Sequence, residues 1–323
     1  MKTPAIRALF SLLCLGAGAA IFAASTHRAN AAAGVTIGSG WNATRTTIPV
    51  IIGDQRASCV LDTGTSAILV SPSLARAARL AARAGTFEVA PDGRTYVDRQ
   101  TQIAHFAVAG YSLHDVPALI SSNLSGSDAL CGYDFFAHFP TLIDRERSQV
   151  ILFPPSSRVG RLHCVQVDLA PRVPLATVQI NDTWVSHIVL DSGMAGGGAL
   201  WDGIRGQLHR PLVANADYET MPSAVRNGFA CGAIASIRYA AGAVESSMPI
   251  CTEPQRPDGY NGIIETNLTS VHAMYVDYSH RRICFDVGGY AAVAMPDPPT
   301  PVTAANSGDG DAWSRFKALR PPQ

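Results

Sequence analysis

The chain has 323 residues, 47% of them hydrophobic, only 15% charged, and a formal net charge of zero. That length accommodates two cores of ordinary domain size. Nucleic acid and anionic membrane surfaces need a concentrated basic face, and this even balance of charge supplies none, so neither is expected as a partner.

Residues 1–31 read as an export signal. Lys2 and Arg7 supply a positive start, Ala8 to Ala24 an apolar run broken by glycines, and Ala29-Asn30-Ala31 an A-x-A cleavage site. An uncleaved membrane anchor is the alternative reading of the same stretch. With the signal removed, the expectation is a periplasmic or extracellular protein with no stable membrane insertion. Loss of Cys14 leaves six cysteines: Cys59, Cys131, Cys164, Cys231, Cys251 and Cys284. An even number in an exported chain fits disulfides, with the connectivity open. There is no C-x-x-C pair and no zinc-type His/Cys spacing, so neither a metal nor another cofactor is expected.

Beyond the signal the chain reads as two units, 45–155 and 163–289, built of short β-branched strands bounded by turns. In the first, strands Ile48 to Ile52 and Ser58 to Leu61 flank a Gly53-Asp54 turn. Ser71 to Ala84 has helical spacing at Leu74, Ala78 and Ala81, with a serine cap before it and Gly85 as its stop. Phe87 to Ala90 and Thr95 to Asp98 flank Pro91-Asp92-Gly93 as a hairpin. A short helix over Tyr133 to His138 ends before Pro140. Strands Thr141 to Ile143 and Gln149 to Phe153 then enclose a charged turn. The second unit repeats the opening, with Thr177 to Ile180, an Asn181-Asp182 turn and Val185 to Leu190. It repeats the close with Tyr275 to Asp277 and Arg282 to Phe285. Residues 295–323 are rich in Pro, Gly, Ser and Asp and are expected to be disordered.

The repeat is sharpest at one place. Val60-Leu61-Asp62-Thr63-Gly64 recurs as Val189-Leu190-Asp191-Ser192-Gly193. Each copy sets a carboxylate between an apolar run and a small hydroxyl residue followed by glycine. Further on come Leu130-Cys131-Gly132 and Ile263-Ile264-Glu265, apolar pairs leading into turns. Asp62 to Asp144 is 82 positions and Asp191 to Asp277 is 86, the scale of a duplicated domain. Two such turns facing each other could share a proton, because adjacent carboxylates cannot both ionise cheaply.

With these motifs the chain resembles the retropepsin-like aspartic peptidases, over most of residues 45–288. Cys59 to Ser66, Leu113 to Ala118 and Gly132 to Phe136 carry the likeness most closely. Bacterial exported proteins with two tandem units of this kind are similar throughout, including a glycine-rich run after the second aspartate. The resemblance implies a mainly β fold of two homologous retropepsin-like β-barrel lobes with short helices. The resemblance also implies an active-site cleft between them, so the catalytic unit is expected to be a monomer forming an intramolecular pseudo-dimer. Asp62 and Asp191 become the catalytic pair acting on a peptide or protein substrate. Thr63, Gly64, Thr65, Ser192 and Gly193 support their loops, with Thr63 and Ser192 bonding across the lobe boundary and Thr65 donating to Asp62. Gly93 and Tyr96 mark a candidate substrate-binding flap, a plain surface hairpin being the other reading.

The second copy departs from the pattern. Met194 stands in place of Thr65 and Glu265 in place of Gly132, and a buried carboxylate there needs its own partner or proton. A catalytically inactive, peptide-binding protein of the same fold is therefore the alternative. If activity is kept, Ala195 and Gly196-Gly197-Gly198 are expected to supply backbone amides to Asp191. Within this framework the expected disulfides are Cys59–Cys131, Cys231–Cys251 and Cys164–Cys284.

Overall fold

The computed structural model describes residues 35–286 apart from 43–44, 90–94, 123, 125, 154–161, 195–196, 215–229, 240–243, 254–258 and 267–270. The expected export signal and C-terminal tail lie outside the described residues. Strands dominate. In chain order the first half contains β1 (Val35–Gly38), β2 (Gly40–Asn42), β3 (Arg45–Ile52), β4 (Gln55–Leu61), β5 (Ile68–Val70), helix α1 (Pro72–Ala77), β6 (Gly85–Val89), β7 (Thr95–Val108), β8 (Tyr111–Ser121), β9 (Ala129–Cys131), helix α2 (Tyr133–Phe136), β10 (Thr141–Asp144) and β11 (Gln149–Leu152). The second half contains β12 (His163–Gln166), β13 (Leu175–Ile180), β14 (Thr183–Asp191), β15 (Gly198–Trp201), helix α3 (Asp202–Arg205), β16 (Val213–Ala214), β17 (Ala230–Arg238), β18 (Val244–Glu253), β19 (Gly262–Glu265), β20 (Ala273–Asp277), a 3-10 turn (Tyr278–His280) and β21 (Arg282–Asp286).

Side-chain alternation explains the strands. In β3, Thr46, Ile48, Val50 and Ile52 point into the core while Pro49 and Ile51 face out, the period-two pattern of a half-buried strand. The Asn181-Asp182 turn has positive φ at both residues, 44° and 63°, the geometry that joins two twisted strands most tightly.

The strands form three sheets. The first has the order β2-β3-β4-β9-β5-β8-β7-β6, and a further β3–β7 pairing curls it toward a barrel. The second has the order β13-β14-β19-β15-β18-β17-β16, curled the same way by β13–β17. The run of pairings is also the same: antiparallel β3–β4, parallel β4–β9, antiparallel β9–β5 and parallel β5–β8. Antiparallel β13–β14, parallel β14–β19, antiparallel β19–β15 and parallel β15–β18 follow in the second sheet. The third sheet, β1-β11-β10-β20-β21-β12, takes three strands from each half of the chain. They meet where β10 pairs antiparallel with β20, Leu142 opposite Tyr275.

One element is shorter than its sequence suggests. The expected helix over residues 71–84 ends after Ala77. Ser71 caps it, its hydroxyl accepting the Leu74 amide at 3.2 Å. Leu74 and Ala75 are buried, but Arg79 adopts a left-handed φ of 54° that breaks the helix, and beyond Leu80 residues 81–85 are exposed. Residues 83 and 84 instead hydrogen-bond to Gln100 of β7. Gly85 is accordingly the first residue of β6, not a helix stop. Tertiary pairing overrides the helix propensity of an alanine-rich run whose last residues are exposed.

Disulfides join Cys59 to Cys131 and Cys164 to Cys284. Cys251 is also disulfide-bonded, while the side chain of Cys231, its expected partner, lies outside the described residues. Among the described residues no helix is long and apolar enough to cross a membrane. Both findings are compatible with an exported protein.

Candidate active site

β4 ends at Leu61, directly before Asp62, and β14 ends at Asp191; both strands are buried over their last residues. Asp62 and Asp191 are each 8% exposed, and their carboxyl groups lie within hydrogen-bonding reach of each other. Two glycines make that approach possible. A side-chain carbon at Gly64 would collide with the Asp191 carboxyl, and one at Gly193 would collide with the Asp62 carboxyl. Each turn therefore wraps the other's carboxyl with bare backbone.

The hydroxyl residues tie the turns together. Thr63 Oγ1 donates to the Leu190 carbonyl at 2.7 Å and accepts the Ser192 amide at 2.9 Å. Ser192 Oγ donates to the Leu61 carbonyl at 2.8 Å and accepts the Thr63 amide at 3.1 Å. All four groups are buried, where such bonds are least replaceable by water.

The two carboxyls differ in their surroundings. Burial, with the Asp191 charge beside it, pushes Asp62 well above the ordinary carboxylate value; the Thr65 hydroxyl and the Arg45 cation pull the other way. Burial raises Asp191 as well, but the amides of Gly193 and Met194 donate to its Oδ1 at 2.6 and 3.0 Å. Two amide donors favour the ionised form more than one hydroxyl does. Adjacent buried carboxyls favour a shared proton, and the two amides bias the remaining charge toward Asp191. Tyr278, its ring tilted against those of Tyr133 and Phe136, sits close enough that burial and both aspartates push its phenol well above the ordinary tyrosine value.

Met194 thus serves Asp191 through its backbone although it lacks a hydroxyl. Among the described residues the amides reaching Asp191 are those of Gly193 and Met194; Ala195 and Gly196 lie outside the described residues, and the Gly197 amide, expected to serve it, goes elsewhere. Gly197 N donates to Glu265 Oε2 at 2.9 Å, and its carbonyl accepts the Glu265 amide, also at 2.9 Å.

Strand register shows why glutamate fits there. Ile68 pairs with Cys131 and Gly198 with Ile264, so the loop after Asp62 spans six positions and the loop after Asp191 seven. The shorter loop presses on Gly132, where any side chain would strike the Thr65 and Ala67 carbonyls. The longer loop leaves room, and Glu265 fills it, with the Arg145 charge near enough to interact.

Sequence reasoning did not single out Arg45, Arg145, Arg172 or Tyr278. Each reaches the site from a distant segment, and no local pattern marks such an arrival. Gly93 lies outside the described residues, as does the side chain of Tyr96, whose backbone belongs to the β6–β7 hairpin opposite Glu88.

Residues 48–135 match the family model described as Aspartyl protease. That match supports an aspartyl protease of the retropepsin-like kind, and with it a peptidase hydrolase. It takes in Asp62, Thr63, Gly64 and the Gly132 segment. No curated protein matches the chain.

Proposed function

We propose that the protein is an exported aspartic endopeptidase, periplasmic or extracellular, made of two retropepsin-like lobes, residues 45–155 and 163–289. Asp62 and Asp191, one from each lobe, act as a shared dyad on a peptide or protein held in the cleft between the lobes. The observation that carries the reading is the pair of buried carboxyls held against each other by reciprocal Thr63 and Ser192 hydrogen bonds. No such lattice is needed to hold two ordinary turns.

Ionised Asp191 takes a proton from a water molecule, whose oxygen attacks the peptide carbonyl carbon. Protonated Asp62 donates to the carbonyl oxygen and stabilises the charge that builds there. The resulting gem-diol collapses as a proton passes to the leaving nitrogen, and the dyad returns to its singly protonated state. Arg45 limits how far the pair's proton affinity rises, since its cation lowers both members. Bound peptide is held in extended form, with main-chain hydrogen bonds for affinity and pockets for selection.

The test is cleavage of a peptide library by wild type, Asp62→Asn and Asp191→Asn from about pH 3 to 8. The expected result is cleavage by wild type and a loss of at least about a thousandfold in both variants. Cleavage that survives Asp191→Asn would falsify the shared dyad. Saturable peptide binding by a folded wild type that cuts nothing selects the inactive, peptide-binding alternative.

A further inference from the structure

Between β12 of the third sheet and β13 of the second the chain makes a tight loop from Asp168 to Leu175. Two backbone hydrogen bonds of 2.8 and 2.9 Å between these residues close its base. On the returning arm Val173 and Leu175 pack with Val189, and the Pro174 carbonyl accepts the Leu190 amide at 3.1 Å. This arm therefore backs the strand that ends in Asp191.

Arg172, at the tip, faces the other half of the molecule. Its Nε donates to the Ser66 carbonyl at 2.9 Å, in the loop that follows Asp62. One terminal nitrogen pairs with the Asp134 carboxylate, and the guanidinium lies 4.5 Å over the Tyr133 ring. Tyr133 in turn donates its amide to the Thr65 carbonyl at 2.9 Å. A single side chain thus grips both the Asp62 loop and the segment crossing beside it.

Two features set this contact apart from a chance ion pair. Arg172 holds a left-handed φ of 63°, a conformation that disfavours any residue with a side chain. Asp134 is buried, and its second oxygen has no hydrogen-bond partner among the described residues, so the guanidinium is its partner in the buried site.

We infer that Arg172 is a positioning residue that fixes the spacing of the Asp62 and Asp191 carboxyls, by strapping the Asp62 loop to the arm behind Asp191. The inference rests on reading these two groups as one working pair. Their mutual repulsion rises steeply as they approach, which separates the two steps in which the pair titrates. Releasing the strap lets the loops part, and the steps draw together. The other groups facing the pair are Arg45 from β3, the Thr65 hydroxyl, the Gly193 and Met194 amides, and Tyr278 with Tyr133 behind it. All of these are kept in the variants below.

The experiment is an NMR titration of the full chain carrying carbon-13 carboxyl-labelled aspartate, alongside peptide-cleavage kinetics. The variants are Arg172→Lys and the double variant Arg172→Met with Asp134→Asn, which removes the buried charge along with its partner so that the fold is not left with an unpaired carboxylate. In the double variant the gap between the pair's two steps narrows by about one pH unit, and kcat falls about tenfold while KM stays within about twofold. Lysine keeps the charge but lacks the planar fork, so Arg172→Lys narrows the gap too. A gap unchanged in the folded double variant overturns the strap, as does a lysine variant identical to wild type, which would make charge alone the agent. A wild type that cuts no peptide but titrates as a coupled pair overturns the peptidase reading alone, and the variants' titrations still decide the strap.

Discussion

Thr63 and Ser192 are reciprocal partners: each hydroxyl donates to the carbonyl just before the other's aspartate and accepts the other's amide. Four hydrogen bonds therefore depend on two small side chains at the centre of the molecule. Ser192→Ala removes the acceptor of the Thr63 amide and the donor to Leu61. Leaving buried groups unsatisfied costs about 1–3 kcal/mol each, so the expected loss for the two is about 2–6 kcal/mol. Urea unfolding measures it, and a loss below about 0.5 kcal/mol would show that the lattice does not hold the halves together. Ser192→Thr, which keeps the hydroxyl, retains most of the stability.

Glu265 is built into the second loop as an acceptor. Glu265→Gln preserves an oxygen for the Gly197 amide and is expected to stay within about 1 kcal/mol of wild type. Glu265→Leu strands that amide and removes the charge beside Arg145, lowering stability by about 2–3 kcal/mol. Gly197→Ala is as severe, because φ there is 117° and the Pro249 carbonyl fills the space. Thermal unfolding of the three variants checks the order. A leucine variant as stable as the glutamine one would mean that Glu265 is tolerated, not used.

The first half was more legible in sequence than the second, for physical reasons. Asp62-Thr63-Gly64 and the Gly132 segment are local patterns, and the strands around them alternate cleanly. Met194 and Glu265 read as damage because a sequence shows the missing hydroxyl but not the amide that replaces it. The one-residue difference between the loops becomes visible only through strand register. The alanine-rich run after Ser71 has helical spacing along its whole length, yet the core supports only its first two turns. Arg172 could not be found at all. Its partners Ser66 and Asp134 are 106 and 38 positions away, and only the folded chain brings them together.

Cys59 and Cys131 are buried at the ends of the parallel strands β4 and β9, just ahead of Asp62 and Gly132. Their bond closes a loop with a sequence separation of 72. Chain-entropy reasoning gives about 4 kcal/mol for a loop of this size, with about 2–4 usually realised. Replacing both residues with alanine should lower the unfolding free energy by that amount. Reducing agent should do the same to wild type but leave this part of the double variant's response absent. Equal sensitivity of the two proteins would sink the assignment of stability to this bond.

Asp277 anchors the far side of the third sheet. Burial alone would raise its carboxyl, but the Ser279 hydroxyl, Arg282 and His280 outweigh burial and hold it below the ordinary value of 3.8. A depressed folded value means that this stability is fully present above the unfolded pKa and lost as pH falls through the folded one. Asp277→Asn should therefore cost about 3 kcal/mol near neutrality, since it leaves Arg282 without its buried partner. The difference from wild type should shrink steadily below about pH 4. A difference independent of pH would place the cost in packing instead of charge.

The paired aspartates impose the opposite slope. Burial raises both, and Asp62 further because of its neighbour. The folded pair keeps a proton that two unfolded aspartates, titrating near about 3.9, have already released. Where the folded state binds more protons than the unfolded state, unfolding free energy falls with rising pH. This contribution is complete below the unfolded value and disappears as pH climbs through the raised folded value. Wild type should accordingly lose stability as pH rises above about 4, beyond what its other groups explain. Asp62→Asn supplies a permanent neutral donor in place of the proton and should flatten that slope, making the variant more stable than wild type at neutral pH while abolishing cleavage. Denaturant unfolding at several pH values reads the slope directly. If wild type and Asp62→Asn run parallel from pH 4 to neutrality, no proton is held by the pair, and the asymmetric dyad is wrong even if peptides are cut.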